Sequence, residues 1–256
     1  MTPRADIVLA GRVVLGLGLV LAWIAVHRAL GDNYVAGPGE VAWRLLEIAA
    51  SGVLAIDVAV TLFEAAVGLV IGGLAGFALP FLIDRIPGLE RSLRPFIGAA
   101  MGVPKLALAP LLILWLGIGL VSKCAFVAMV VFFLLFFSTL AGIRGADVKL
   151  IAMARILGLG ELLVIREVVL PASLPHVFAS LKVAVPRAIS AAVVAELMAA
   201  DMGLGSAIEK AMSQADTVGV FTGVIVVTAV VVAANAVLGR IQRWVMGWNE
   251  SSISGF

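Results

Sequence analysis

Cysteine, histidine and charge are all scarce in this 256-residue chain, and each scarcity closes off a chemistry. The single cysteine, Cys124, excludes an internal disulfide framework. Two histidines, His27 and His176, are too few and too far apart to build a metal site by themselves, so no metal ligand and no cofactor is assigned. Charged residues make up 13% of the chain, the formal net charge is +2, and no long Lys/Arg block occurs, which leaves nucleic acid without an evident footprint. The pattern Gly-x-x-x-x-Gly-Lys-Ser/Thr is absent, so the chain carries no phosphate-cradling loop of that type and is not read as an enzyme.

What the chain does have is apolar length. Apolar residues fill 62% of positions and the mean hydropathy is +1.16, far outside the range of a soluble domain. The fold class is therefore an all-α membrane protein. Taking about 20 mainly apolar residues per crossing, six spans are expected, over residues 7–26, 58–83, 96–114, 124–143, 177–197 and 218–238. The first is read as an uncleaved span, because the stretch AVHRALGD offers a poor small-residue cleavage site. Residues 1–256 read as one transmembrane domain.

Positive charge fixes the expected orientation, since Lys and Arg near span ends are retained in the cytoplasm. With the amino terminus inside, the cytoplasmic segments hold Arg4, Arg12, Arg85, Arg91, Arg94, Arg144, Lys149, Arg155, Arg166, Arg240 and Arg243. The outer segments hold Arg28, Arg44, Lys123 and Lys210. Both termini are expected inside, and so is the connection between the fourth and fifth spans, about residues 145–175.

That connection is not a plain linker. Leu150, Met153, Ala154 and Leu157 recur at the spacing of one helical face. Gly158 supplies a helix stop, because glycine adopts the left-handed conformation without a Cβ clash. A second helical segment follows, with Leu162, Ile165 and Val169 on one side and Arg166 and Glu167 turned away, and Pro171 and Pro175 are expected to break the chain before it re-enters the membrane. Two short helices with a bend make a compact knob. An amphipathic linker lying on the bilayer is the other reading of the same pattern.

The run AMARILGLGELLVIREVVLPASLP resembles the cytoplasmic loop of permease subunits of bacterial ABC importers, the family with the EAA motif. That motif reads Glu-Ala-Ala, three residues, Gly, nine residues, Ile, one residue, Leu-Pro. In this chain Ala152, Met153 and Ala154 stand at the triplet, and Gly158, Val168, Leu170 and Pro171 follow at the motif's spacing. Residues 103–144, the patch AELMAADMGLGSAI with Glu196, Gly203, Leu204 and Gly205, and the stretch AGPGEVAWRLLE are similar to the nitrate, sulfonate and taurine branch. Glu64, in TLFEAAVG, departs from the basic residue expected there in many relatives.

The resemblance implies the type I importer permease fold, the one of the methionine importer permease. It implies a subunit that lines a path for a small solute, an anion such as nitrate, a sulfonate or taurine, in the bacterial inner membrane. Two copies of an ATP-binding subunit, an extracytoplasmic solute-binding protein and a second permease copy, as a homodimer within membrane lipid, are the implied partners. The seven loop residues Ala152, Met153, Ala154, Gly158, Val168, Leu170 and Pro171 would couple to the ATPase.

Polar residues within spans carry their own expectations, since charge in a bilayer is costly. Glu196, near the outer end of the fifth span, is the substrate-path candidate, with an interfacial carboxylate reached by water as the plainer reading. Glu64 follows Thr61 at capping-box spacing, which suggests a helix start. Lys182 and Arg187 are placed near the inner half of the fifth span, where snorkelling accounts for them. Gly68, Gly72 and Gly76 recur every fourth residue and leave a groove for another helix. Gly117 and Gly119 suit a tight outer turn. A secondary transporter is the alternative, and a membrane-embedded enzyme a more distant one, because Asp57, Asp84, Asp147 and Asp201 are scattered over different loops and span ends and do not pair in sequence.

Overall fold

The computed structural model describes residues 3–86, 88–199 and 201–246, and among these every regular element is helical. Five helices are long and apolar enough to cross a bilayer, and a sharply bent pair can make a sixth crossing. The long ones are α1 (Pro3–Leu30), α3 (Val53–Asp84), α6 (Leu120–Arg144), α9 (Leu170–Ala199) and α11 (Thr217–Met246). The bent pair joins α4 (Leu89–Gly102) to α5 (Ala109–Leu116) through a tight 3-10 turn at Lys105–Leu108.

That bend corrects the continuous third span expected over 96–114. The two halves meet at 89°. Pro104 has no amide hydrogen to donate and disfavours the helical conformation in the residue before it, and Val103 is accordingly extended at φ −65° and ψ 126°. Hydropathy over the window stays high across this break, because the residues around Pro104 are mostly apolar apart from Lys105.

Helices α3, α6 and α9 form the centre. Phe126, Val127, Val131 and Leu135 of α6 pack against Ala65 of α3 and Ala184, Ala188, Ile189 and Ala192 of α9. The glycine ladder sets the close approach. A Cβ added at Gly72 would lie 2.1 Å from the Ala128 carbonyl oxygen, and one at Gly76 would lie 2.6 Å from that of Phe132, so α3 and α6 touch backbone to backbone. Helix α1 lies outside this core with its described side chains largely exposed, as suits a lipid-facing span. It is tied down at its end, where Trp23 Nε1 donates to the Ala36 carbonyl at 2.9 Å and His27 Nδ1 lies 2.8 Å from that of Val35.

Two shorter helices escaped the sequence reading. Helix α2 (Pro38–Ala50) starts at Pro38, with the Gly37 amide donating to Glu40 Oε2 at 3.2 Å, and Arg44 pairs with Asp216 at 3.2 Å. Helix α10 (Leu204–Ser213) carries Leu204, Ile208 and Ala211 on a buried face. Each is too short to span. Gly117 and Gly119, at φ +79° and +150°, form the turn into α6 as their spacing suggests.

Candidate functional site

The connection from α6 to α9 folds as a knob of two short helices, α7 (Val148–Ile156) and α8 (Glu161–Val164). Asp147 caps α7 by accepting the Lys149 amide at 2.8 Å. At the other end the chain turns through Gly158 at φ +85°. The Leu159 amide donates back to the Ala154 carbonyl at 3.1 Å and the Gly158 amide to that of Arg155 at 3.0 Å, the Schellman pair that a left-handed residue permits. Arg155 then reaches across the bend, with Nε at 2.8 Å and Nη2 at 3.0 Å from the two oxygens of Glu161. This hydrogen-bonded carboxylate pushes the Arg155 guanidinium above its ordinary range.

Inside the knob, Ala154, Val164 and Val169 are buried against Ile143 and Ala146, with Leu159, Val168 and Phe81 completing the cluster. Outside it, Val148, Leu150, Met153, Ile156, Leu157 and Leu162 all face outward, Ile156 at 86% exposure. The face anticipated from Leu150, Met153, Ala154 and Leu157 is therefore divided. Ala154 packs inward, while the other three join an outer apolar surface to which Ile156 and Val148 also belong. Both were missed because periodicity identifies an apolar face without saying which side of a two-helix unit it occupies.

The return to the membrane also differs from expectation. Pro171 and Pro175 do not break the chain, for α9 runs through both. A π-helical turn at Ile165–Val169 precedes it, and the Leu170 amide donates five residues back to Ile165. The wider turn accommodates a proline that cannot donate to the preceding turn. Of the seven sequence-predicted coupling residues, Ala152, Met153, Gly158 and Pro171 are exposed, Ala154 is buried, and Val168 and Leu170 are half-buried. Gly158, Ala154 and Val168 thus shape the knob, and the others face away from its core to varying degrees.

A second cluster lies within the bundle. Glu196 of α9, only 1% exposed, accepts from Thr61 Oγ1 at 2.8 and 3.0 Å and from the Gly205 amide at 2.7 Å. Thr61 accepts the Leu204 amide at 3.0 Å, and Asp57 accepts that of Gly203 at 2.9 Å. Three consecutive amides at the start of α10 are thereby satisfied by α3 and α9. Carboxylates at that end also complement the positive end of the helix. A Cβ at Gly203 would sit 2.2 Å from Glu196 Oε1, and one at Gly205 2.3 Å from the Val193 carbonyl, which accounts for both glycines of the GLG run.

Glu64 belongs beside this cluster, not at a helix start. It lies in the interior of α3, 1% exposed, and forms an ion pair with Lys123 from the first turn of α6. Capping-box spacing was met locally, but the helix begins at Val53. Lys123, counted above with an outer segment, is likewise buried. The interfacial, water-reached Glu196 is corrected in the same way, since its oxygens are enclosed by donors of its own chain.

A family model described as "Binding-protein-dependent transport system inner membrane component" matches residues 68–247. The chain belongs to this family. The permease is 31% identical over 247 residues to a Bacillus subtilis protein assigned to aliphatic sulfonate transport, covering 96% of this chain and 86% of the relative. It is 31% identical to the riboflavin transport system permease of Chloroflexus aurantiacus, over 93% of this chain and 91% of that one. The taurine transport system permease of Escherichia coli is 28% identical, over 94% and 92%. Among solved structures, the methionine ABC transporter in an inward-facing conformation aligns at a TM-score of 0.59 and 16% identity, covering 75% of this chain and 97% of that chain. The structure described as an amino acid ABC transporter with histidines aligns at 0.60 and 18%, over 77% and 94%.

These likenesses establish the methionine-importer permease fold and a multi-pass protein of the bacterial inner membrane. Membership in the family decides against the secondary transporter and the membrane enzyme. As in its relatives, ATP is hydrolysed in a separate subunit, so the permease is not itself an ATPase.

Proposed function

We propose that the permease forms one half of the path for a small anion such as nitrate, a sulfonate or taurine, paired with a second copy of itself. Two copies of an ATP-binding subunit dock on the knob from the cytoplasm, and an extracytoplasmic binding protein delivers the solute. The observation that carries the coupling half of this reading is the outer apolar surface around Ile156. Apolar side chains held out on a braced two-helix unit favour a protein partner, because docking removes their contact with water. The solute half draws on the relatives named for aliphatic sulfonates and taurine. The relative named for riboflavin is equally similar, and a neutral planar solute is accordingly the second reading.

In this assignment the triplet Ala152, Met153 and Ala154, together with Gly158, Val168, Leu170 and Pro171, forms and presents the coupling surface. Glu196 is a positioning residue that holds α10 near the outer end of the path.

The coupling reading is tested with Ile156→Asp. Substitution at so exposed a position is expected to change folding stability by less than about 0.5 kcal/mol. It should weaken co-purification with the ATP-binding subunit by about 2 kcal/mol, the loss typical of a central apolar contact. Unchanged co-purification would overturn the assignment of this surface.

A further inference from the structure

We propose that the cavity beneath the α4–α5 bend is an anion site, in which Lys105 and Arg187 hold the charged end of a small organic anion and Phe133 and Phe137 hold its apolar body. The cavity measures about 360 Å³ and is also lined by Val130 and Leu134. No acidic side chain lines it among the described residues. Two elements far apart in sequence supply the cations. Lys105 opens the turn created by Pro104, with Nζ 5.0 Å above the Phe133 ring and 3.4 Å from the Ala100 carbonyl, and Arg187 projects from α9.

Depth selects the ligand class. Phe133 lies near the middle of the 25-residue α6, about 20 Å along the helix from its start. Arg187 lies at mid-length of the 30-residue α9. Snorkelling to a headgroup region suits a cation near a helix end; at mid-length it does not account for Arg187. Two cations facing one apolar cavity repel each other and favour an anion between them. The aromatic wall then selects for an anion with a hydrocarbon portion, such as a short alkanesulfonate. This rests on the anionic solute class proposed above and names the residues that would receive it.

The test measures the charge preference of a thiol placed in the cavity. Leu134→Cys is made in a Cys124→Ser background, with Tyr34→Cys as an exposed reference, and the protein is held in phosphatidylcholine nanodiscs. Methanethiosulfonate reagents bearing a sulfonate or a trimethylammonium group are compared at each site. After correction by the reference, the sulfonate reagent should react about tenfold faster in the cavity. Lys105→Gln or Arg187→Gln should each reduce that preference, the pair should abolish it, and 1-butanesulfonate should slow the reaction.

No preference, no modification by either reagent, a preference unchanged in the paired variant, or no protection by butanesulfonate would each overturn the site. Protection by phosphatidylglycerol in place of butanesulfonate would also overturn it, assigning the cations to a lipid headgroup. ATP-driven uptake of butanesulfonate by the complete assembly reports on the solute class separately. Uptake without charge preference overturns the cavity and leaves the class standing, whereas preference and protection without uptake keep the cavity and overturn the class.

Discussion

The knob and the polar cluster around Glu196 invert the usual distribution of side chains. In the knob, Leu150, Ile156 and Leu157 face outward around a small core, whereas in the bundle Glu64, Lys123 and Glu196 are buried among apolar helices. Thr61, Asp57 and Glu196 satisfy the first amides of α10 from within the same chain, so the start of that helix is held without a further partner. The knob has α7 capped at both ends, but its apolar surface remains uncovered. Structure that closes on itself and structure that awaits a partner are thus distinguished by which groups are left unsatisfied.

The largest effect should come from opening the closed region. Lys123→Met leaves Glu64 without its counter-ion and should cost about 3–5 kcal/mol, the range for stripping one partner from a buried pair. Thermal unfolding in detergent should show a large fall, and adding Glu64→Gln should recover much of it. A Lys123→Met protein as stable as the parent would remove the ion pair from the account of the fold.

Arg155→Gln removes the clasp across the knob's bend. Because both side chains are exposed, the expected loss is small and should shrink further in high salt. Unfolding midpoints at low and high salt check this, and a loss rivalling that of Lys123→Met would show that the two regions do not differ as described.

The last probe concerns position and should leave stability unchanged. With the cytoplasmic knob and outer α10 proposed here, a membrane-impermeant thiol reagent applied outside should label Gln214→Cys and spare Glu161→Cys. The opposite pattern would reverse the orientation.

Much of the architecture was legible because membrane spans announce themselves through length. The Gly68, Gly72 and Gly76 ladder and the Gly158 stop were legible too, since each rests on steric rules within one turn or one helix face. The bend at Pro104 was not, because a hydropathy window weighs side chains and ignores a missing amide donor. Pro171 misled in the opposite sense, as a π-helical turn absorbed it. The Glu64–Lys123 pair was hidden because linear spacing cannot say which helices will lie side by side. Glu196 was visible as an unusual charge, but its engagement with α10 required the fold.

Helix α9 links the regions compared here, with the knob at one end, Arg187 midway and Glu196 near the other. Its 30 residues make a rod of about 45 Å, so a tilt of 10° at one end corresponds to an arc of about 8 Å at the other if the rod stays straight. The rod has two weak points: Pro175 cannot donate to the Pro171 carbonyl, and Pro186 cannot donate to that of Lys182, which lowers the bending stiffness near the knob and again one residue before Arg187. Bending of α9 is therefore easiest at two places, one beside the knob and one beside that arginine, while the far end stays clamped to α10 through Glu196.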